Sequence, residues 1–142
     1  MNAKPMQILL VDDDEVDCEA VERGFRNGSV PTTITVARNG QEALGVLRGS
    51  DKNSALQRPH VILLDLNMPT MNGFEFLNEV RADPTLNDSV VFVFTTSNRE
   101  ADRLAAYRKN VAGYVSKAAV GEDCIDLVRM IDSYWRVVEL PA

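Results

Sequence analysis

Short apolar runs alternate along the chain with stretches whose apolar residues recur every three or four positions. Residues 7–11 form the first run and read as a strand buried on both faces. Cys18, Val21 and Phe25 then lie at i, i+3 and i+7, the stripe of an amphipathic helix. Asn27-Gly28 ends it. Residues 32–37 are β-branched and alternating, a second strand. Asn39 followed by Glu42 starts a helix running to about Leu47. Residues 50–59 form a polar loop. A third buried strand follows at 60–65, then a turn at 69–73. The next helix turns Phe76, Leu77 and Val80 inward and stops at Asp83-Pro84. Residues 90–94 are a fourth strand. Ser97 and Glu100 form a capping box ahead of a helix whose stripe is Ala101, Leu104 and Tyr107. Residues 112–116 are a fifth, weaker strand. Cys124, Val128, Ile131 and Trp135 mark a long last helix, with residues 136–142 as a tail.

Five strand-then-helix units with continuously apolar strands predict an α/β fold: a parallel sheet with helices on both faces and right-handed crossovers. For five strands in one domain, the expected arrangement is flavodoxin-like, a doubly wound sheet in the order 2-1-3-4-5. The 142 residues suit one domain, residues 1–135, followed by the short tail and no output domain.

Composition narrows the class. Hydrophobic residues make up 45% and charged residues 25%, with a net charge of −6. That acidic balance argues against a nucleic-acid or anionic-membrane surface. No run is long enough to span a membrane, and the N-terminus lacks a signal-peptide pattern. Cys18 and Cys124 are expected to be buried, reduced thiols, so the cytoplasm is the expected compartment. His60 is the only histidine and reads as an ordinary strand-entry residue. Mechanisms that need two histidines are therefore excluded.

In such sheets, ligands gather beyond the carboxyl ends of the strands, at the switch point between the first and third. Asp12, Asp13 and Asp14 follow the first strand, and Asp65 ends the third. Thr95 and Thr96 follow the fourth strand, and Lys117 follows the fifth. Each piece alone is ordinarily a helix cap or a solvated loop. At adjacent strand ends they describe a site. Clustered carboxylates repel one another unless a cation sits among them. Mg²⁺ fits best, because it takes one or two carboxylates, keeps waters and accepts a phosphate oxygen. Lys117 and Thr95 would then hold other phosphoryl oxygens, and a carboxylate can serve as the nucleophile.

Val-Asp-Asp-Asp at 11–14, Leu-Asp-Leu-Asn-Met-Pro at 64–69 with Gly73, Phe-Thr-Thr-Ser at 94–97 and Gly-Tyr-Val-Ser-Lys at 113–117 together resemble the receiver domain of two-component response regulators, over about residues 7–135. The resemblance implies that Asp65 accepts a phosphoryl group from a sensor histidine kinase. It implies that Asp13 binds Mg²⁺ directly, that Asp12 does so directly or through water, and that Asp65 and the backbone carbonyl of Asn67 complete the protein ligands. It further implies that Lys117 pairs with Asp65 or the phosphoryl oxygens, and that Thr95 and Tyr114 form the switch. From the residues alone, Tyr114 would be a strand-end aromatic lying on the adjacent helix, and Gly73 and Pro69 would be scaffolding. By this resemblance the protein is a phosphoacceptor that catalyses only its own phosphotransfer and dephosphorylation.

The polar loop, the turn at 83–86 and the Tyr134-Trp135 ending are similar to single-domain regulators partnered with phytochrome-type kinases. Members of that group form homodimers through the face of helix 4, strand 5 and helix 5, or through C-terminal extensions. The tail carries Val137, Val138 and Leu140, and it either serves such a contact or folds back on its own domain. One position departs from the pattern. Ala118 follows Lys117 where the family usually has a cis proline. Either a non-proline cis bond is kept at a cost of about 2.5–4 kcal/mol, or the loop takes another path. Two other readings compete with the phosphoacceptor. A pseudo-receiver would bind partners without phosphorylation. A different enzyme on the same sheet fits less well, because Asp65-Leu66-Asn67 lacks the second carboxylate of a haloacid-dehalogenase-type phosphatase. The chain also has no glycine-rich loop after the first strand for a nucleotide or flavin.

Overall fold

The computed structural model describes residues 5–49 and 56–142. Five parallel strands, β1 (Met6–Val11), β2 (Thr32–Ala37), β3 (Val61–Leu64), β4 (Val90–Thr95) and β5 (Gly113–Ser116), form one sheet. Their order is β2-β1-β3-β4-β5, the flavodoxin-like arrangement the pattern predicts. The helices are α1 (Glu15–Asn27), α2 (Gly40–Arg48), α3 (Gly73–Ala82), α4 (Glu100–Arg108) and α5 (Ile125–Val137). Part of the predicted polar loop, residues 50–55, lies outside the described residues.

The alternation of strand side chains builds two cores. Ile8, Leu10, Val61, Leu63, Phe92 and Phe94 face α1 and α5, meeting Phe25, Leu127, Ile131 and Trp135. Leu9, Val11, Ile62, Leu64, Val91 and Val93 face the other way, against Leu44, Phe76, Leu77 and Val80. Each fully buried side chain of this size contributes about 1.5–3 kcal/mol, which explains why the central strands are apolar on both faces.

Three helices carry side-chain N-caps, of which the one at Asn39 is the cap expected from the sequence. Asp14 caps α1 through the Val16 and Asp17 N–H groups, and Asn39 caps α2 through the Glu42 N–H. Asn72 and Glu75 form a reciprocal capping box on α3. The fourth helix departs from expectation. Its N-cap is Arg99, without a side-chain cap, and the Ser97 hydroxyl instead donates to Asp102 at 2.6 Å. The same hydroxyl accepts from the Arg99 N–H at 3.4 Å, so Ser97 closes the turn before the helix rather than capping its first turn. The predicted stripe is also rotated. Ala101, Leu104 and Tyr107 are exposed, and Ala106 is the buried position. Period alone places an apolar stripe without deciding which of two adjacent stripes meets the sheet.

The Lys117–Ala118 bond is trans, since the cis peptide among the described residues is Arg58–Pro59. The chain takes another path there, a 3₁₀ turn over Lys117–Ala119 in which the Ser116 hydroxyl accepts from the Ala118 N–H. A second short turn, Glu122–Cys124, leads into α5, so Cys124 precedes the helix. The helix runs on through Val137, past the predicted end at Trp135. Val137 is exposed, whereas Leu140 packs against the core.

Two polar groups sit unpaired at the opposite end of the sheet from the carboxylates. His60 and Ser89 precede the paired residues Val61 and Val90. Both are buried, and neither the His60 ring nitrogens nor the Ser89 hydroxyl has a hydrogen-bond partner of good geometry. Burial, with Arg58 nearby, pushes the His60 imidazole down to about 4.

Candidate functional site

Strand register assembles the site. Val11 pairs with Leu64, so the next residues, Asp12 and Asp65, emerge side by side. Their backbones extend the ladder, with the Asp12 N–H bonded to the Ala37 carbonyl and the Asp65 N–H to that of Val11. Both side chains are buried, at 1% and 7% exposure, and Asp13 is exposed beside them. Carboxylate oxygens of Asp12, Asp13 and Asp65 all lie within 4.8 Å of one another. Three hard anionic donors at this spacing suit a small divalent cation.

The third aspartate of the triplet does different work. Asp14 is spent capping α1, while its own N–H donates to the Asp12 carboxylate at 2.9 Å. Burial pushes the Asp12 carboxyl up to about 6, against the opposing hydrogen bonds from Lys117 and the Asp14 N–H. A cation would relieve that cost by rewarding the ionised form.

Thr95 and Lys117 converge on Asp65 from neighbouring strands. The Thr95 hydroxyl donates to one Asp65 oxygen at 2.8 Å, and the Lys117 ammonium reaches the other at 3.2 Å. Lys117 also donates to Asp12 and to Asp17, each at 2.7 Å, and lies 5.7 Å from the centre of the Phe94 ring. Burial alone would lower the pKa of this ammonium. The bonds to Asp12 and Asp17 outweigh it and hold the pKa above the ordinary lysine value.

Asp17 is the residue that sequence reasoning missed. It is the third residue of α1, where an acid is an ordinary companion of the helix N-terminus. Only the fold shows that it meets a lysine one hundred positions away.

Tyr114, on β5, is half-buried, and its hydroxyl donates to the Ser97 carbonyl at 3.0 Å. Ser97 in turn holds Asp102 of α4. The loop after Thr95 is therefore tied on one side to Asp65 and on the other to β5 and α4. Gly73 packs where a side chain would strike the Asp65 backbone, and its N–H bonds to the Leu66 carbonyl. Cys18 lies under the site, and burial pushes its thiol up to about 12, so it stays protonated and inert. Cys124 is likewise buried and free.

The backbone and the sequence have counterparts among known proteins. Residues 8–129 match the description of the response regulator receiver domain. Response regulator Rcp1 of Synechocystis sp. (strain ATCC 27184 / PCC 6803 / Kazusa) is 34% identical over 139 residues, covering 97% of this chain and 95% of that protein. The crystal structure of the phosphorylated cyanobacterial phytochrome response regulator RcpA superposes with a TM-score of 0.86 at 34% identity, covering 97% of this chain and 99% of that one. The Mn²⁺-bound form of Rcp1 superposes at 0.84, again at 34% identity, covering 97% of this chain and all of that one (100%). Among the described residues, no helix is long and apolar enough to cross a membrane.

Proposed function

Because the chain belongs to the response regulator receiver family, we propose that Asp65 is its phosphoacceptor and that a sensor histidine kinase is the donor. The observation that carries this is the convergence on one buried carboxylate of two further aspartates, a hydroxyl and an ammonium. An Asp65 oxygen attacks phosphorus, the bond from phosphorus to the donor histidine nitrogen breaks, and the nitrogen keeps the electron pair. Lys117 and Thr95 hold the phosphoryl oxygens as they reorganise. Asp12, Asp13, Asp65 and the Asn67 carbonyl would hold Mg²⁺, which supplies positive charge where the oxygens of nucleophile and phosphoryl group crowd together.

The added charge of about −1.5 to −2 is read out through the tied loop. Thr95 follows the new oxygens, and the Tyr114 contact with Ser97 passes the change to α4. The likeness to Rcp1 and RcpA supports a phytochrome-type kinase as the partner. Leu104 and Tyr107, 49% and 47% exposed on α4, support a homodimer through the α4–β5–α5 face. With no membrane-spanning helix among the described residues, the cytoplasm is the proposed compartment. In this reading, the protein's only catalysis is its own phosphotransfer and dephosphorylation.

Intact mass after incubation with acetyl phosphate and Mg²⁺ tests the chemistry, with Asp65→Asn and an EDTA-treated sample alongside. One added phosphoryl group, absent from both controls, is expected. No addition, with a phosphorylated kinase domain also failing, would turn the domain into a constitutive binding module.

A further inference from the structure

Lys117 is held by more than the residues it serves. Its side chain is 8% exposed, and its three N–H groups meet three carboxylates. The shortest contacts, both 2.7 Å, go to Asp12 and Asp17, and the longest, 3.2 Å, goes to Asp65. Asp12 and Asp65 belong to the cluster suited to a divalent cation, and Asp17 does not. Once a cation draws on the oxygens of Asp12 and Asp65, it competes with the ammonium for both and repels it. Asp17 is then the acceptor whose hold on Lys117 the cation leaves intact. The backbone after Lys117 is a 3₁₀ turn capped by Ser116, and the ammonium reaches the three carboxylates with the Phe94 ring 5.7 Å away.

We propose that Asp17 is a positioning residue that keeps the Lys117 ammonium beside Asp65 when the divalent cation is bound. It acts through Lys117 and touches neither the cation nor the phosphoryl group. The inference rests on the reading of Asp65 as the phosphoacceptor. It adds α1 to the elements that build the site.

The test uses the full chain with Asp17→Ala and Asp17→Glu, each in the wild-type and Lys117→Ala backgrounds. Asp17 is about one-third exposed at the start of α1, so folding should survive, and a circular-dichroism melt verifies it. At saturating Mg²⁺, phosphorylation by acetyl phosphate should slow about tenfold in Asp17→Ala, the scale of losing one charge-assisted hydrogen bond at a reacting centre. Asp17→Glu should recover most of the rate, and Asp17→Ala should add nothing once Lys117 is gone.

A second readout needs no turnover. The Lys117 ammonium resonance, followed by nitrogen-15 NMR, should persist in the wild type with and without Mg²⁺. In Asp17→Ala it should vanish into solvent exchange when Mg²⁺ is added. A wild-type phosphorylation rate in Asp17→Ala, an undiminished effect in the Lys117→Ala background, or a resonance indifferent to Asp17 would each overturn the proposal. A wild-type chain that takes no phosphoryl group would overturn the Asp65 reading, and this inference with it.

Discussion

Gly73→Ala is a substitution of one methyl group that should damage both stability and phosphorylation. The new Cβ would stand 2.4 Å from the Asp65 carbonyl oxygen and 2.7 Å from the Leu66 Cα. Ordinary contact begins at 3.4 Å, so about 1 Å of separation must be found. Both obstacles are backbone, and neither can swing aside. The Gly73 N–H is itself bonded to the Leu66 carbonyl at 3.0 Å, so the helix start and the strand end are pinned together. Overpacking of this kind costs about 1–3 kcal/mol.

The displacement falls on Asp65, whose carboxylate is aligned by Thr95 at 2.8 Å and Lys117 at 3.2 Å. A 1 Å error at a reacting group costs on the order of 10²-fold in rate. Gly45→Ala is the control, because nothing lies within 4 Å of its Cβ position in α2. It should raise stability by about 1 kcal/mol through helix propensity and leave the rate unchanged. The assay is urea unfolding of both variants together with the acetyl-phosphate time course. Wild-type stability and rate in Gly73→Ala would refute the argument that close backbone approach, rather than turn conformation, requires this glycine.

Thr95→Ala removes the hydroxyl on Asp65 but neither the proposed nucleophile nor a proposed cation ligand. It should still accept a phosphoryl group and lose most of the phosphorylation-dependent change in dimerisation or kinase affinity. A normal response by analytical ultracentrifugation and kinase binding would sink that role. Arg81 donates to the backbone carbonyls of Asn87, Ser89, Lys109 and Asn110, tying the end of α3 to the starts of β4 and β5. Arg81→Met should lower unfolding stability by roughly 2–4 kcal/mol and speed hydrogen exchange in those loops, leaving phosphorylation intact at low temperature.

His60 titrates near 6.5 when unfolded and near 4 when folded, so its contribution to stability is complete above pH 6.5 and is lost as pH falls toward 4. Between pH 7.5 and 4.5 the wild type should lose roughly 2–3 kcal/mol more than His60→Leu in urea titrations. Equal pH dependence in the two would contradict burial as the cause.

The alternation of apolar runs with helical stripes was enough to specify five strand–helix units and a parallel sheet, and the strand order was the one expected of five such strands in a doubly wound domain. The units follow from continuous apolar runs, the helical period of 3.6 residues and the need to bury both faces of the sheet. The carboxylates, the threonine and the lysine were legible for the same reason. Each lies at the carboxyl end of a strand or just beyond it, and parallel strands deliver those ends to one edge.

Three features belong to the tertiary structure alone. The rotation of α4, which buries Ala106 and exposes Leu104 and Tyr107, depends on how the helix lies against the sheet. The division of labour among Asp12, Asp13 and Asp14 depends on where α1 begins, because the residue at the cap is used up there. The contact of Asp17 with Lys117 joins residues one hundred positions apart, and no local period encodes such a pair. Periodicity and turn chemistry act over a few residues, whereas register, helix rotation and long-range ion pairs are settled only when both cores pack at once.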